Sequence, residues 1–279
     1  MDCRSARLSS ALPFPPFDLR PVSGFAHICA VVASPCSGSL HSILLNGSQP
    51  RSEDDTLLLC AARARSSVLI NSVRTVAGEG GAAPGWSLCG PLAEAALSAW
   101  RAEDLGLRAG GVHLLLTRGG RELDGALPMF SPSALFSAVV GVPRGAPPLR
   151  WRPGVPAPAP TLPLASSALP DVAVGEALAA ARSALAAGGH PWGAGAAGRP
   201  DAAEPLVLVE AGAALTRALY EGAECPLDWL IVSEYRGGGV DAACVGGVVA
   251  ERCTIERLFL VEASCERGDW VFSLLRRRP

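Results

Sequence analysis

The chain has 279 residues, 49% of them hydrophobic, and a formal charge of -2, with a pI near 6.1, so it can bury one large core or two modest ones. That balance argues against a general nucleic-acid-binding protein, and the basic tail Arg276, Arg277 and Arg278 is too short to change it. No segment offers the long, charge-free apolar run of a membrane helix, so a soluble protein acting away from membranes is expected. Lysine is absent, which excludes Schiff-base catalysis by lysine and a Walker-type phosphate lysine, and leaves arginine, histidine or backbone N–H groups to hold anions.

In chain order, residues 1–24 mix Arg and Ser with prolines and carry few acids. They read either as an organellar transit segment or as a disordered leader without a targeting role, so the compartment stays open between cytoplasm and plastid. Residues 27–33 are strand-like. Ser52, with Asp55 three residues on, opens a helix over 56–65, and a short apolar strand follows at 68–70. Residues 91–100 read as a helix, and 112–117 and 137–142 as strands. Across 143–170 prolines are so frequent that neither a helix nor a central strand can persist, which predicts a linker or surface excursion. An alanine-rich helix is expected over 171–187, then a Gly/Ala-rich loop over 188–204.

The run LVLV at 206–209 has strand length and β-branched content, and Gly212 follows where a turn must open a helix over 213–221. Such a turn leaves backbone N–H groups free at the helix start, a seat for phosphate; an ordinary crossover that binds nothing has the same pattern. A further apolar strand precedes Arg236 and three glycines. Residues 254–262 and 270–275 read as an antiparallel pair around Gly268. Strands alternating with helices, closed by a hairpin, predict an α/β domain with a mixed sheet over 25–279.

Nine cysteines and four histidines suggest no metal site. No C-x-x-C occurs, the odd cysteine count fits reduced thiols, and no histidine opens the H-x-E motif of a zinc deaminase. His113, beside Leu114 to Leu116, reads as a strand residue rather than a catalytic base.

VLVEAG with AALTRALYEG, then an apolar strand and RGGG, resembles the VEGG-helix-strand-GGG signature of the riboflavin-biosynthesis reductases, the C-terminal domain of the bifunctional deaminase-reductase. The last 26 residues resemble that family's paired final strands, with Gly268 and Asp269 at their turn. SEDDTLLLCAARARSSVLINSVRTVAGE is similar to its helix, strand and Gly-x-Gly-Thr-Val stretch. The resemblance implies a dihydrofolate-reductase-like fold with a mixed, mostly parallel sheet flanked by helices, and a homodimer. It implies NADPH-dependent reduction of a phosphoribosylamino-pyrimidine to its ribitylamino form, which asks the protein mainly to hold nicotinamide against the sugar.

Cofactor contacts are then expected at turn residues, Asn71, Ser72 and Thr75 after one strand and Gly212, Ala213 and Ala214 after the other. Glu210, at a strand end where open α/β sheets gather ligands, is the catalytic and substrate-side candidate. Ser34 and Glu79 are further substrate-side candidates, although Glu79, in a Gly-rich loop, reads first as a solvated carboxylate. Several family residues are missing: the lysine and Asp-Gly pair after the first strand, the glycines replaced by Asn71 and Val73, and one glycine replaced by Ala211. Two alternatives therefore stand beside the reductase, a non-catalytic relative serving as a dimeric binding or regulatory module, and another dihydrofolate- or pteridine-type reductase.

Overall fold

A computed structural model describes residues 17–35, 37–43, 50, 52–78, 85, 88, 90–117, 122–131, 135–147, 149–152, 159, 161–164, 203–210, 212–221 and 225–279. The leader up to residue 16, the helix expected over 171–187, most of the loop over 188–204, Glu79 and Ala211 lie outside these residues.

The first strand, β1 (Gly24–Ala33), runs into β2 (Ser39–Ile43) through a turn in which the Ser34 N–H donates to the Ser39 carbonyl. Helix α1 (Glu53–Arg65) is capped by Ser52 as expected but begins before residue 56, because the Ser52 hydroxyl accepts the Asp55 N–H and three acids complement the positive end of the helix. Then come β3 (Val68–Ser72), the short α2 (Val73–Gly78), α3 (Pro91–Ala99) with a π turn at Trp100–Asp104, and β4 (Gly111–Leu116). Arg101 staples that π turn in place. Its buried guanidinium donates to the carbonyls of Ala64, Ser66, Gly110 and Arg108, tying the end of α1 to the start of β4.

Strands β5 (Glu122–Leu123), β6 (Phe136–Pro143), β7 (Arg150–Trp151) and β8 (Thr161–Leu164) follow. The last two fall inside the Pro-rich stretch read as a linker or surface excursion. β8 pairs with β6 at the end of the main sheet, with Pro163 opposite Val142. A proline without an N–H fits an edge strand and not a central one.

The remaining elements are β9 (Leu206–Val209), α4 (Ala213–Thr216), α5 (Ala218–Glu221), β10 (Trp229–Tyr235), β11 (Val245–Glu251), α6 (Arg252–Leu258), β12 (Phe259–Arg267) and β13 (Trp270–Arg277). Two expectations change here. The single helix over 213–221 is two short helical turns, and the first half of the strand expected over 254–262 is α6. Ile255 is buried on α6, so a periodicity that fits either element is settled by where one apolar side chain packs.

Eleven strands form one sheet in the order β12-β13-β10-β1-β9-β3-β4-β6-β8, with β2 beside β1 and β11 beside β2. β10, β1, β9, β3, β4, β6 and β8 are mutually parallel, while β13 and β12 close the end as an antiparallel pair. The hairpin turns through Gly268, whose φ of 57° suits glycine, and Asp269.

Alternation divides the core. Ala26, Leu208 and Leu69 face Leu58, Ala61 and Ala62 of α1. Val31, Val209, Ile70 and Leu114 face Leu219, Tyr220, Ile255 and Val249 on the other side. Each fully buried aliphatic contributes roughly 1.5–3 kcal/mol.

Candidate active site

The parallel strands end together at one edge of the sheet, and there the chain gathers its polar groups. At the end of β3 the Ser72 hydroxyl accepts the Thr75 N–H at 3.0 Å and lies 2.7 Å from the Thr75 hydroxyl, capping the first turn of α2. A Cβ added at Gly212 would meet Thr75 Oγ1 at 3.4 Å, so the two turns predicted to touch a cofactor are neighbours. Gly212 has φ -64° and ψ 162°, ordinary extended backbone; its value is space. The Ala213 and Ala214 N–H groups open α4 and have no intrahelical acceptor. Because α4 has only four residues, its start presents those free N–H groups and no long aligned helix dipole.

Asn71 corrects its expectation. It is a strand residue opposite Leu115 rather than part of a turn, and its side chain is buried on the α1 side. Its Oδ1 has no hydrogen-bond partner among the described residues. Ser34 lies in the β1–β2 turn, on the same sheet edge but beyond these groups.

Glu210 continues β9, its N–H bonded to the Ile70 carbonyl. Both carboxylate oxygens are taken by one guanidinium: Arg63 Nε donates to Oε1 at 2.8 Å and a terminal nitrogen donates to Oε2 at 2.7 Å. The same Arg63 reaches the Gly85 carbonyl at 3.3 Å. A bidentate, nearly buried pair holds Glu210 as an acceptor only and joins α1 to the Gly212 turn. Arg63 was not foreseen as a site residue, since nothing local marks an arginine in the last turn of a helix as the partner of an acid 147 positions later.

Next to these turns the sheet has a gap. β9 pairs with β1 only over Gly24–His27, and β2 takes up the same edge only from Val31 to Ala33. Among the described residues Ile28, Cys29 and Ala30 have no strand on that edge, and the main-chain groups of Ile28 and Ala30, which point away from β10, are without a strand partner there. Two nearby side chains were also missed. Asp55, half-buried in the first turn of α1, has its carboxyl raised above the usual carboxylate range by burial. Burial, with the charge of Asp55 adding to it, pushes the Cys29 thiol up to about 12, so Cys29 is no nucleophile.

Two buried histidines flank the centre. His27 Nδ1 is 2.5 Å from the Tyr220 hydroxyl, and burial lowers its pKa to about 3. His113 has no partner on either ring nitrogen among the described residues. Burial first, and the Arg63 charge second, hold its pKa at about 3. Both are neutral core residues, and His113 lies near the start of β4, as its reading as a strand residue expected. Among the described residues no cluster of ligands suits a metal ion, and no helix is long and apolar enough to cross a membrane.

An open α/β sheet with polar groups at the carboxyl ends of its strands, and an antiparallel pair closing one side, has the dihydrofolate-reductase-like architecture of the riboflavin reductases. Among solved structures, the chain is similar to a pyrimidine reductase-like protein of Corynebacterium diphtheriae, with a TM-score of 0.58 and 14% identity over 94% of this chain and 96% of that one. It is similar to Acinetobacter baumannii RibD, with a TM-score of 0.55 and 14% identity, spanning 92% of this chain and 58% of RibD. It also matches the riboflavin biosynthesis reductase Rib7 of Saccharomyces cerevisiae, with a TM-score of 0.52 and 10% identity over 99% and 100% of the two chains. At these identities the likeness shows the fold. No family model matches the chain, and no curated protein matches it by sequence.

Proposed function

We propose that the chain is an NADPH-dependent reductase that converts a phosphoribosylamino-pyrimidine to its ribitylamino form. The observation that carries this reading is the meeting, at one sheet edge, of the Ser72–Thr75 hydroxyl pair, the Gly212 turn and the unpaired stretch Ile28–Ala30. These groups fit the cofactor. The Ala213 and Ala214 N–H groups with the Ser72 and Thr75 hydroxyls suit the pyrophosphate. Arg74, exposed at the start of α2, supplies the cation that a 2′-phosphate needs in a chain without lysine. The main-chain groups of Ile28 and Ala30 that face away from β10 match a carboxamide, which both donates and accepts.

When bound, NADPH supplies the hydride. The protein's own part is to hold the acceptor carbon in line and keep water out. The Arg63–Glu210 pair fixes the Gly212 turn and occupies both carboxylate oxygens, so we assign Glu210 a positioning role rather than that of an acid or base. Leu260 and Val261, exposed on the edge strand β12, offer a second copy of the chain an apolar surface for the homodimer.

The test is titration of the full chain with NADPH by fluorescence, followed by NADPH oxidation with the pyrimidine. Saturable binding and turnover support the reading; no binding at millimolar NADPH refutes it and leaves the non-catalytic module.

A further inference from the structure

Two buried arginines stand at the end of the sheet opposite the candidate active site. Arg65 and Arg101 are each 1% exposed. Burial lowers the pKa of each to about 10, with the charge of Arg65 adding to the shift of Arg101, so both stay charged at neutral pH. Their partners differ. Arg101 donates to four carbonyls. Arg65 donates to one, the Glu204 carbonyl at 2.8 Å. Its Nε and Nη1 have no hydrogen-bond partner among the described residues, and no carboxylate there forms an ion pair with it.

A further donor lies at the same end of the sheet. The Ser67 hydroxyl is buried and has no partner among the described residues. Ser67 leads into β3 between its two neighbours, its N–H bonded to the Leu206 carbonyl at 2.8 Å and its carbonyl to the Val112 N–H at 3.0 Å. Strand alternation turns its side chain to the face of Leu69, which packs on α1. Arg65 comes to that same corner, because its acceptor Glu204 lies two residues before Leu206, whose side chain also packs on the α1 side.

These unsatisfied groups are all donors. A guanidinium accepts no hydrogen bond and keeps its charge in proteins, and a buried charge without a partner is strongly unfavourable. A water molecule brings two hydrogens of its own, while the carbonyls of this corner already accept from Arg101 and Arg65. A dianion such as phosphate brings a second charge and more oxygens than Arg65 and Ser67 can satisfy. A monovalent anion neutralises Arg65 and asks for donors alone.

We infer that the corner at the amino ends of β3 and β9 is a structural anion site, in which Arg65 and Ser67 hold one monovalent anion of the size of chloride. The site is independent of the reductase reading. Arg63 and Arg65, two residues apart at the end of α1, reach opposite ends of β9, Glu210 and Glu204. The anion therefore steadies the helix end that also holds the Gly212 turn.

The experiment is calorimetric unfolding of the full chain in sodium chloride and in sodium gluconate at equal ionic strength, with crystals soaked in sodium bromide. Chloride is expected to raise the midpoint by roughly 3–5 °C for each tenfold increase beyond half-saturation, and gluconate, too large for the corner, to leave it unchanged. Bromide is expected to give an anomalous peak within hydrogen-bonding reach of the Arg65 guanidinium and Ser67 Oγ. Arg65→Met is expected to abolish the chloride response. Ser67→Ala is expected to need severalfold more chloride, and it serves where R65M does not fold.

Equal responses to the two salts overturn the inference, as does an unchanged response in R65M, or in S67A where R65M does not fold. A crystal structure with the Glu204 carboxylate seated on Arg65 overturns it too. A bromide peak without a chloride response in solution marks binding at crystal concentration only and counts against it in the same way.

Discussion

His113 provides a sharp test of how this core is built. Its imidazole is buried in β4 with both ring nitrogens unpartnered among the described residues, and its pKa is lowered from 6.5 to about 3, by burial and then by Arg63. The unfolded chain binds a proton at this residue once the pH falls below about 6.5, whereas the folded chain does not until about 3. The stability contributed by neutral His113 is therefore present above the first value and is lost progressively as pH falls toward the second. At about pH 5 the loss is some 1.5 pH units at 1.36 kcal/mol each, or about 2 kcal/mol. His113→Leu removes the titration and two unsatisfied polar atoms. We expect the variant to be at least as stable as wild type at about pH 7.5, since leaving a buried polar group unpaired costs about 1–3 kcal/mol. Urea unfolding at the two pH values measures the difference. Wild type should lose about 2 kcal/mol more than the variant between them. Equal losses would refute the reasoning, by showing that His113 is hydrated or hydrogen-bonded in the folded protein.

Two further variants probe the site. Arg63→Met leaves the nearly buried Glu210 carboxylate without its partner and should cost about 3–5 kcal/mol in urea unfolding, while the double variant with Glu210→Leu should recover most of it; a single variant as stable as wild type would mean that the pair does not anchor the Gly212 turn. Gly212→Ala should bind NADPH nearly normally, because its φ is ordinary and the new Cβ meets Thr75 only at 3.4 Å. Gly212→Trp should weaken binding at least tenfold with its circular dichroism unchanged, and equal affinities in a titration would remove this turn from the cofactor site.

What could be read locally was read well. Ser52 and its three following acids start α1 because a cap and first-turn charge act within four residues. The strand over 206–209 has the bounds its apolar run implies, and Gly268 turns the final hairpin because glycine accepts positive φ. The readings that changed depend on distant partners. Asn71 belongs to a strand because Leu115 pairs with it, and residues 254–258 are helical because Ile255 finds the core.

The sequence by itself determined the α/β alternation, the turn at Gly212 that opens a helix, and the absence of lysine that leaves anions to arginine and backbone. Only the tertiary structure decided that Glu210 is committed to Arg63, and that among the described residues Asp55 has no such partner and one edge of β1 has no strand beside it between Ile28 and Ala30. The reason is physical. Turns and caps are set by residues a few positions apart, but which carboxylate receives a guanidinium, and which strand lacks a neighbour, depends on segments brought together from more than a hundred positions away.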